Sequence, residues 1–397
     1  MSERAFDFEQ LLHPLDAEVF FREYWRQKPL VMTRNSPDRF CGMFSVSDVE
    51  AIVAYRQLQY SQLKVARVGE DARASQAYYV DSASTADTNR LFHSYDRGES
   101  IVLNFLQSYW EPAARLCAAF ERRLGFPAGA NAYITPKNAC GFPPHFDSHE
   151  AFILQAHGMK RWKLYRQWER SPGDGLDEQL VSRERLDEPI REFDLHAGDL
   201  LYIPAGFVHE ASTQGSSSIH VTVGVRTYTL LDLLKEAIAL EGRENGDLNL
   251  SLPLGFLEES AALGETAARL ESVLAALTRP DRLEGARDRL KIRLLERLRP
   301  LPSGHLRSLD QVEDLSLDTR VMKRAGMPCH LTTEGGRAAI VFPGNRMTAP
   351  VAIAPALRFI ADSREPFAVR ALPETLSDDG KVVLVKRAIR EGLLQVA

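Results

Sequence analysis

The chain has few cysteines, no long apolar run and little net charge, and each shortage argues against a class of protein. Its cysteines are isolated, without a Cys-x-x-Cys pair, which argues against a zinc ribbon or a disulfide framework. They are Cys41, Cys117, Cys140 and Cys329. No run approaches the roughly 20 apolar residues of a membrane helix, and the first residues form no apolar signal segment. We therefore expect a cytoplasmic protein with reduced thiols and no membrane association.

The net charge of −5 is unevenly distributed along the chain. Residues 311–397 carry twelve Lys and Arg against ten Asp and Glu, a net +2, and residues 1–310 carry 37 against 44, a net −7. An acidic surface favours a basic partner such as a Lys/Arg-rich peptide over naked nucleic acid. We therefore do not expect direct nucleic-acid binding.

The first part of the chain has the pattern of a β protein. Short β-rich runs alternate with Gly, Pro, Asp and Ser, which is typical of a sandwich or small barrel of the jelly-roll type. The runs cover residues 78–80, 101–106, 132–135, 151–155, 160–165, 200–204 and 219–226. One helix interrupts them, around residues 111–124. At 397 residues the chain is long enough for two or three domains of about 100 to 200 residues.

The later part of the chain is first helical and then mixed. Leucines recur at helical spacing from about residue 229, which predicts either an ordinary helical subdomain or a dimerisation bundle, and the pattern alone favours neither. The last segment has the order of a winged-helix shape, and its small positive charge favours a docking module over a DNA reader. Its predicted elements are a strand at 339–342, helices at 355–362 and 378–392, and a possible strand at 393–396.

A split pattern of metal-binding side chains is the most informative feature. His145 and Asp147 lie two residues apart, and His209 follows the aspartate by 62 residues, after a Pro-Ala-Gly turn. Side chains at i and i+2 of a strand point to the same side, as shared chelation requires. Two His and one carboxylate, which leave coordination positions open, are typical of non-haem Fe(II) oxygenases. His149 and His157 would break the i, i+2 geometry, so we interpret them as loop or substrate-side residues.

At these residues the chain resembles a known family. The segment 131–165, with Asn-Ala-Tyr-Ile-Thr-Pro, Pro-Pro-His-Phe-Asp and Gly-Met-Lys-Arg-Trp, is similar to the Jumonji-C (JmjC) oxygenases and specifically to the bacterial ribosomal oxygenase subgroup. The opening Tyr-Trp-Arg-Gln-Lys-Pro-Leu at 24–30 is similar to that subgroup too. The resemblance implies a double-stranded β-helix barrel at 1–228 with N-terminal helices, a helical dimerisation region at 229–304 and a winged-helix-like domain at 305–397.

The resemblance also implies the cofactors. Family members bind Fe(II), 2-oxoglutarate and O₂, and the distal carboxylate of 2-oxoglutarate needs a cation at the far end of the pocket. Lys160 occupies the place where the subgroup has that cation, and a buried lysine without an anionic partner would be costly. Arg161 and Lys163 are the alternatives, as is a simple surface position for Lys160.

Further residues match positions that line the cosubstrate pocket of related enzymes. Asn131 and His220 do so, although a turn asparagine and a core histidine are the simpler interpretations. Some relatives have a serine four residues after His220, where this chain has Gly224. Thr222 lies on the same strand face and is a candidate to supply the hydroxyl instead.

The resemblance therefore implies an Fe(II)- and 2-oxoglutarate-dependent hydroxylase that acts, as a homodimer, on an arginine or histidine of a ribosomal protein. Three alternatives stay open. The same chemistry could act on a small molecule or another peptide, or on an N-methyl-lysine with release of formaldehyde. A cupin that binds metal without turnover would need no cosubstrate cation.

Overall fold

The computed structural model describes residues 7–66, 85–169, 178–252, 263–300, 303–324 and 326–397. The chain forms two compact units, one that ends at Thr227 and one from Tyr228 to Ala397. Within the described ranges, no helix is both long enough and apolar enough to cross a membrane. The strand predicted at 78–80 lies outside the described residues.

The first unit is mainly β, with helices at its beginning and one between its strands. Its described helices are α1 (Phe8–Leu12), α2 (Ala17–Glu23), α3 (Val46–Tyr55), α4 (Thr88–Asp96) and α5 (Glu111–Leu124). Its described strands are β1 (Leu30–Met32), β2 (Leu63–Ala66), β3 (Ser100–Leu103), β4 (Ala128–Thr135), β5 (His145–Asp147), β6 (Glu150–Gln167), β7 (Glu178–Leu180), β8 (Arg191–His196), β9 (Leu200–Ile203), β10 (Phe207–Ser212) and β11 (Ser218–Val225).

The strands pair antiparallel in a curled sheet, and the predicted jelly-roll barrel is confirmed. The main order is β2-β3-β4-β11-β6-β10-β5-β7, and β6 also pairs with β8 and β9. In strand β11, alternate residues face opposite sides of the sheet. Val221, Val223 and Val225 are buried in the largest core cluster, which also includes helix residues. The alternate residues, among them His220 and Thr222, therefore face the interior of the barrel.

One detail of the strand prediction was wrong. The runs 151–155 and 160–165 are parts of a single strand, β6, rather than two strands separated by a turn. Gly158 has a positive φ of 64° but does not end the strand. The pairing of β6 with β11 shifts its register close to this glycine, so the strand continues through a bulge.

The second unit contains the predicted helical segment and an α+β segment. Its described helices are α6 (Leu230–Glu244), α7 (Leu263–Leu277), α8 (Pro280–Arg297), α9 (His305–Asp310), α10 (Ala354–Asp362) and α11 (Asp378–Arg390). Its described strands are β12 (Arg320–Lys323), β13 (His330–Glu334), β14 (Arg337–Phe342), β15 (Asn345–Pro350), β16 (Phe367–Ala368) and β17 (Leu394–Val396). They form two three-stranded sheets, and the boundary proposed at 304/305 stays a prediction.

Candidate metal and cosubstrate site

Two neighbouring strands bring the three predicted metal ligands together. His145 and Asp147 are the ends of β5, and His209 on β10 pairs directly with His145. One possible ligand atom of each residue lies within 4.8 Å of those of the other two. His209 Nε2 and Asp147 Oδ2 are 3.7 Å apart. This spacing is suited to one ion shared among three ligands.

Hydrogen bonds to the backbone orient both imidazoles. His145 Nδ1 lies 2.8 Å from the carbonyl oxygen of Pro143, and His209 Nδ1 lies 3.0 Å from that of Phe207. A histidine that donates from Nδ1 carries its lone pair on Nε2, so both rings can bind a metal through Nε2. The structure therefore selects the tautomer that metal binding needs.

The turn before β10 connects His209 to Asp147. Gly206 has a φ of 82°, and a Cβ there would lie 1.7 Å from the carbonyl oxygen of Glu169, so only glycine fits. The amide of Gly206 donates to the carbonyl oxygen of Asp147 at 2.9 Å. The Pro-Ala-Gly turn thus links the backbones of the two ligand-bearing strands.

Charge and burial complete the fit to a divalent metal. Burial, followed by the effect of His145, lowers the pKa of His209 to about 4, so this imidazole is neutral at pH 7. Burial alone would raise the pKa of Asp147, but three facing imidazoles, led by His149, hold it below its ordinary value. Two imidazoles and a carboxylate form the donor set expected of a non-haem Fe(II) site.

Lys160 lies inside the barrel, and the described part of the chain places no counter-charge beside it. Its side chain is 4% exposed, and its Nζ donates to Thr135 Oγ1 at 3.1 Å. Burial lowers the pKa of this lysine to about 8. Within the described residues no carboxylate forms an ion pair with Lys160, so an anionic ligand would supply the missing partner.

The two alternative cations are more exposed and already paired. Arg161 donates to Asp194 at 2.7 Å, and Lys163 lies 4.0 Å from Glu192. Both side chains are more than a third exposed. As neighbours of Lys160 at i+1 and i+3 of β6, they belong to the opposite face of the strand.

The other predicted pocket residues share one face of two paired strands. His220 on β11 pairs with Tyr133 on β4, and Thr222 pairs with Asn131. His220 is 3% exposed, and burial, followed by Lys160, lowers its pKa well below the ordinary value. Its Nδ1 is buried without a hydrogen-bond partner among the described residues. That orphaned atom is consistent with a polar ligand in the pocket.

Gly224 has a specific neighbour, His149. A Cβ at Gly224 would lie 2.7 Å from Cδ2 and 2.8 Å from Nε2 of the His149 ring, which is far inside contact distance. A serine at this position would therefore need the imidazole to move. Glycine in place of the serine of some relatives at position 224 therefore leaves the space that the His149 ring occupies.

The sequence reasoning missed several residues that complete the pocket wall. Tyr133 stacks on His220 with ring centroids 4.8 Å apart. Thr135 accepts hydrogen bonds from Lys160 and, at 3.2 Å, from Ser100 Oγ. The spacing of Asn131, Tyr133 and Thr135 at i, i+2 and i+4 could have predicted that Tyr133 and Thr135 share the pocket face with Asn131, because every second residue of a strand faces the same side.

Known proteins share sequence and fold with this chain. A family profile described as "JmjC domain" matches residues 104–233. Ribosomal oxygenase 1 of Rattus norvegicus is 32% identical over 265 residues, which cover 64% of this chain and 43% of that protein. Ribosomal oxygenase 2 of the same organism is 29% identical over 350 residues, covering 80% and 72%. The "Bifunctional lysine-specific demethylase and histidyl-hydroxylase NO66" of Aedes aegypti is 29% identical over 302 residues, covering 71% and 47%.

Solved structures share the fold over nearly the whole chain. The X-ray structure of E. coli ycfD has a TM-score of 0.60 at 16% identity and covers 96% of this chain and 98% of that one. The structure of YcfD from Escherichia coli, described as a ribosomal oxygenase in complex with cobalt and 2-oxoglutarate, has a TM-score of 0.57 at 16% identity, with the same coverage. The chain spans less than half the length of several curated relatives, including Ribosomal oxygenase 1.

Proposed function

Because this chain matches a JmjC profile at residues 104–233 and is similar to ribosomal oxygenases over 64% to 80% of its length, we propose that it is an Fe(II)- and 2-oxoglutarate-dependent oxygenase that hydroxylates a side chain of a ribosomal protein. The observation that carries the proposal is the pairing of two features in one barrel. A His-Asp-His cluster suited to a metal faces the interior. So does Lys160, a buried lysine to which the described residues offer no anionic partner.

In this proposal each residue has a defined task. His145 and His209 bind Fe(II) through Nε2, and Asp147 binds it through its carboxylate. Lys160 pairs with the distal carboxylate of 2-oxoglutarate, and Asn131, His220 and Thr222 line the cosubstrate pocket. Bound Fe(II), with 2-oxoglutarate and O₂, supplies the oxidation that replaces a C–H hydrogen of the substrate with a hydroxyl group.

The protein would contribute positioning and exclusion of water. The Nδ1 hydrogen bonds of the two histidines hold their rings in the metal-binding orientation. Trp162 is 4% exposed, and its ring centroid lies 6.0 Å from that of His209 and 5.7 Å from that of His220. Such a dry, apolar wall strengthens the charge interactions of the ligands with the protein.

The substrate in this proposal is an arginine or histidine of a ribosomal protein. The names of the curated relatives support a ribosomal substrate, and the net −7 of residues 1–310 favours a basic protein. The test is incubation of the purified protein with Fe(II), 2-oxoglutarate and acid-extracted ribosomal proteins, followed by mass spectrometry. We expect a gain of one oxygen atom with the wild type and none with Asp147→Ala.

Lysine demethylation is the second candidate, because the NO66 relative of Aedes aegypti is named for both activities. The same oxidation of an N-methyl group would give an unstable product that releases formaldehyde. A formaldehyde assay with methylated lysine peptides separates the two reactions. Hydroxylation predicts succinate without formaldehyde, whereas demethylation predicts equal amounts of both.

We also propose that the protein is a homodimer formed through its helical segment. Helix α6 exposes Leu230, Leu234 and Ile238 at i, i+4 and i+8, and helix α7 exposes Leu270 and Leu274 at i and i+4. Apolar stripes of this kind are stabilised by an apolar partner surface. We propose that residues 305–397 form a docking module of winged-helix type.

A further inference from the structure

Phe105, in the turn after β3, has a backbone conformation that is unusual for its residue type. Its φ and ψ are 53° and 40°, the left-handed helical region, where a bulky side chain is strained. Its side chain is nevertheless 55% exposed, so burial of the ring does not explain the conformation. Such strain persists only where surrounding contacts enforce it, and it is common at functional sites.

Side-chain hydrogen bonds enforce this turn, and the main one comes from a predicted pocket residue. The amide of Phe105 donates to Asn131 Oδ1 at 3.0 Å. On either side, Tyr109 donates its hydroxyl hydrogen to the carbonyl oxygen of Asn104 at 3.0 Å, and the amide of Ala130 donates to Gln107 Oε1 at 2.9 Å. The turn is therefore bound to the beginning of β4, and Asn131 holds the backbone from which the Phe105 ring projects.

The position of Asn131 indicates the end of the pocket at which Phe105 lies. Asn131, Tyr133 and Thr135 share the pocket face of β4, and Thr135 is the hydrogen-bond partner of Lys160. Four residues of an extended strand cover about 13 Å, so Asn131 lies well away from the lysine end. Asn131 follows Gly129 by two residues on this face, and Gly129 pairs with Gly224, on which His149 packs. His149 follows the ligand Asp147 by two residues, so this is the metal end of the pocket.

We propose that Phe105 is a substrate-contacting residue, a rigid aromatic platform for the planar side chain that is to be hydroxylated. This inference rests on the proposed function and names its substrate contact. An arginine guanidinium or a histidine ring can stack on an exposed phenyl face, and the distal carboxylate of 2-oxoglutarate occupies the opposite, lysine end of the pocket. Because hydrogen bonds to Asn131 and Gln107 already order the turn that carries the ring, little backbone entropy is lost when the substrate binds.

The experiment compares variants in hydroxylation of acid-extracted ribosomal proteins, followed by mass spectrometry. Phe105→Ala removes the ring, Phe105→Tyr keeps it, and Phe105→Gly removes it while relieving the backbone strain, so that one ring-free variant folds well. Phe92→Ala is the matched control, because Phe92 is an exposed phenylalanine (41%) on α4. Binding of 2-oxoglutarate with Mn(II), measured by calorimetry, shows whether the pocket itself is intact.

We expect Phe105→Ala and Phe105→Gly to raise KM for the ribosomal proteins about tenfold, as for loss of a stacking contact with a cation, with unchanged 2-oxoglutarate affinity. Phe105→Tyr and Phe92→Ala should behave as the wild type. Wild-type kinetics in both ring-free variants would overturn the inference. A parallel loss of 2-oxoglutarate affinity would also overturn it, because Phe105 would then only support Asn131. Absence of any hydroxylation by the wild type would instead refute the proposed function, and the substrate contact with it.

Discussion

Replacing Lys160 with methionine should make the metal-free protein more stable while it weakens cosubstrate binding about 100-fold. Burial lowers the pKa of this lysine from 10.5 to about 8, a difference of about 2.5. At 1.36 kcal/mol per pH unit, keeping the lysine charged in the folded protein at pH 7 costs about 3 kcal/mol. Methionine has a similar volume and no charge, and the lost hydrogen bond to Thr135 offsets about 1 kcal/mol. The expected gain is therefore about 2 kcal/mol.

The lowered pKa of Lys160 should also make the stability of the wild type depend on pH. The folded-state pKa of Lys160 is below its unfolded value, so its cost is fully present below pH 8 and disappears as the pH rises to about 10.5. In that window the unfolded chain binds the additional proton. The lysine therefore contributes an increase in wild-type stability between pH 8 and 10.5, and this contribution should be missing in Lys160→Met.

Urea unfolding followed by tryptophan fluorescence measures the stability of the first unit, which contains Lys160, because all four tryptophans belong to that unit. They are Trp25, Trp110, Trp162 and Trp168. Calorimetry with Mn(II) should show about 100-fold weaker 2-oxoglutarate binding in Lys160→Met, since a buried carboxylate would lack its cation. Lys163→Met, on the exposed face of the same strand, is the control and should change neither property. A destabilised Lys160→Met variant that binds 2-oxoglutarate normally would refute the reasoning.

Three further predictions concern the metal, the pocket wall and the assembly. Asp147→Ala should weaken Mn(II) binding by at least about 100-fold by calorimetry, and retained affinity would contradict the proposed ligand set. Gly224→Ser should cost about 1 to 3 kcal/mol in urea unfolding because its Cβ meets the His149 ring, and adding His149→Ala should recover most of the loss. A double variant, Leu234→Glu with Ile238→Glu, should convert a dimer to a monomer in analytical ultracentrifugation, and a monomeric wild type would exclude the proposed assembly.

The parts of the site that follow strand periodicity could be predicted from the sequence. His145 and Asp147 are two residues apart on one strand, so their common direction is a local property. His209 required one further assumption, that its strand neighbours β5, and the observed pairing of His209 with His145 has that arrangement. The barrel itself follows from short apolar runs with turn residues between them, which are also local signals.

The remaining features depend on contacts between distant segments. Nothing near Gly224 in the sequence indicates that the His149 ring occupies the space above it. The left-handed conformation of Phe105 opposes the preference of the residue itself and results from tertiary contacts, mainly with Asn131. The bulge that continues β6 through Gly158 likewise depends on pairing with β11.

The most direct test of the proposed activity is a comparison of ribosomal proteins from cells with the wild-type protein, cells that lack it, and cells with Asp147→Ala. Tryptic peptides of all ribosomal proteins would be mapped by mass spectrometry. We expect one additional oxygen atom on an arginine or histidine of a ribosomal protein in wild-type cells only. Identical maps in all three strains, or a difference only in lysine methylation, would contradict it.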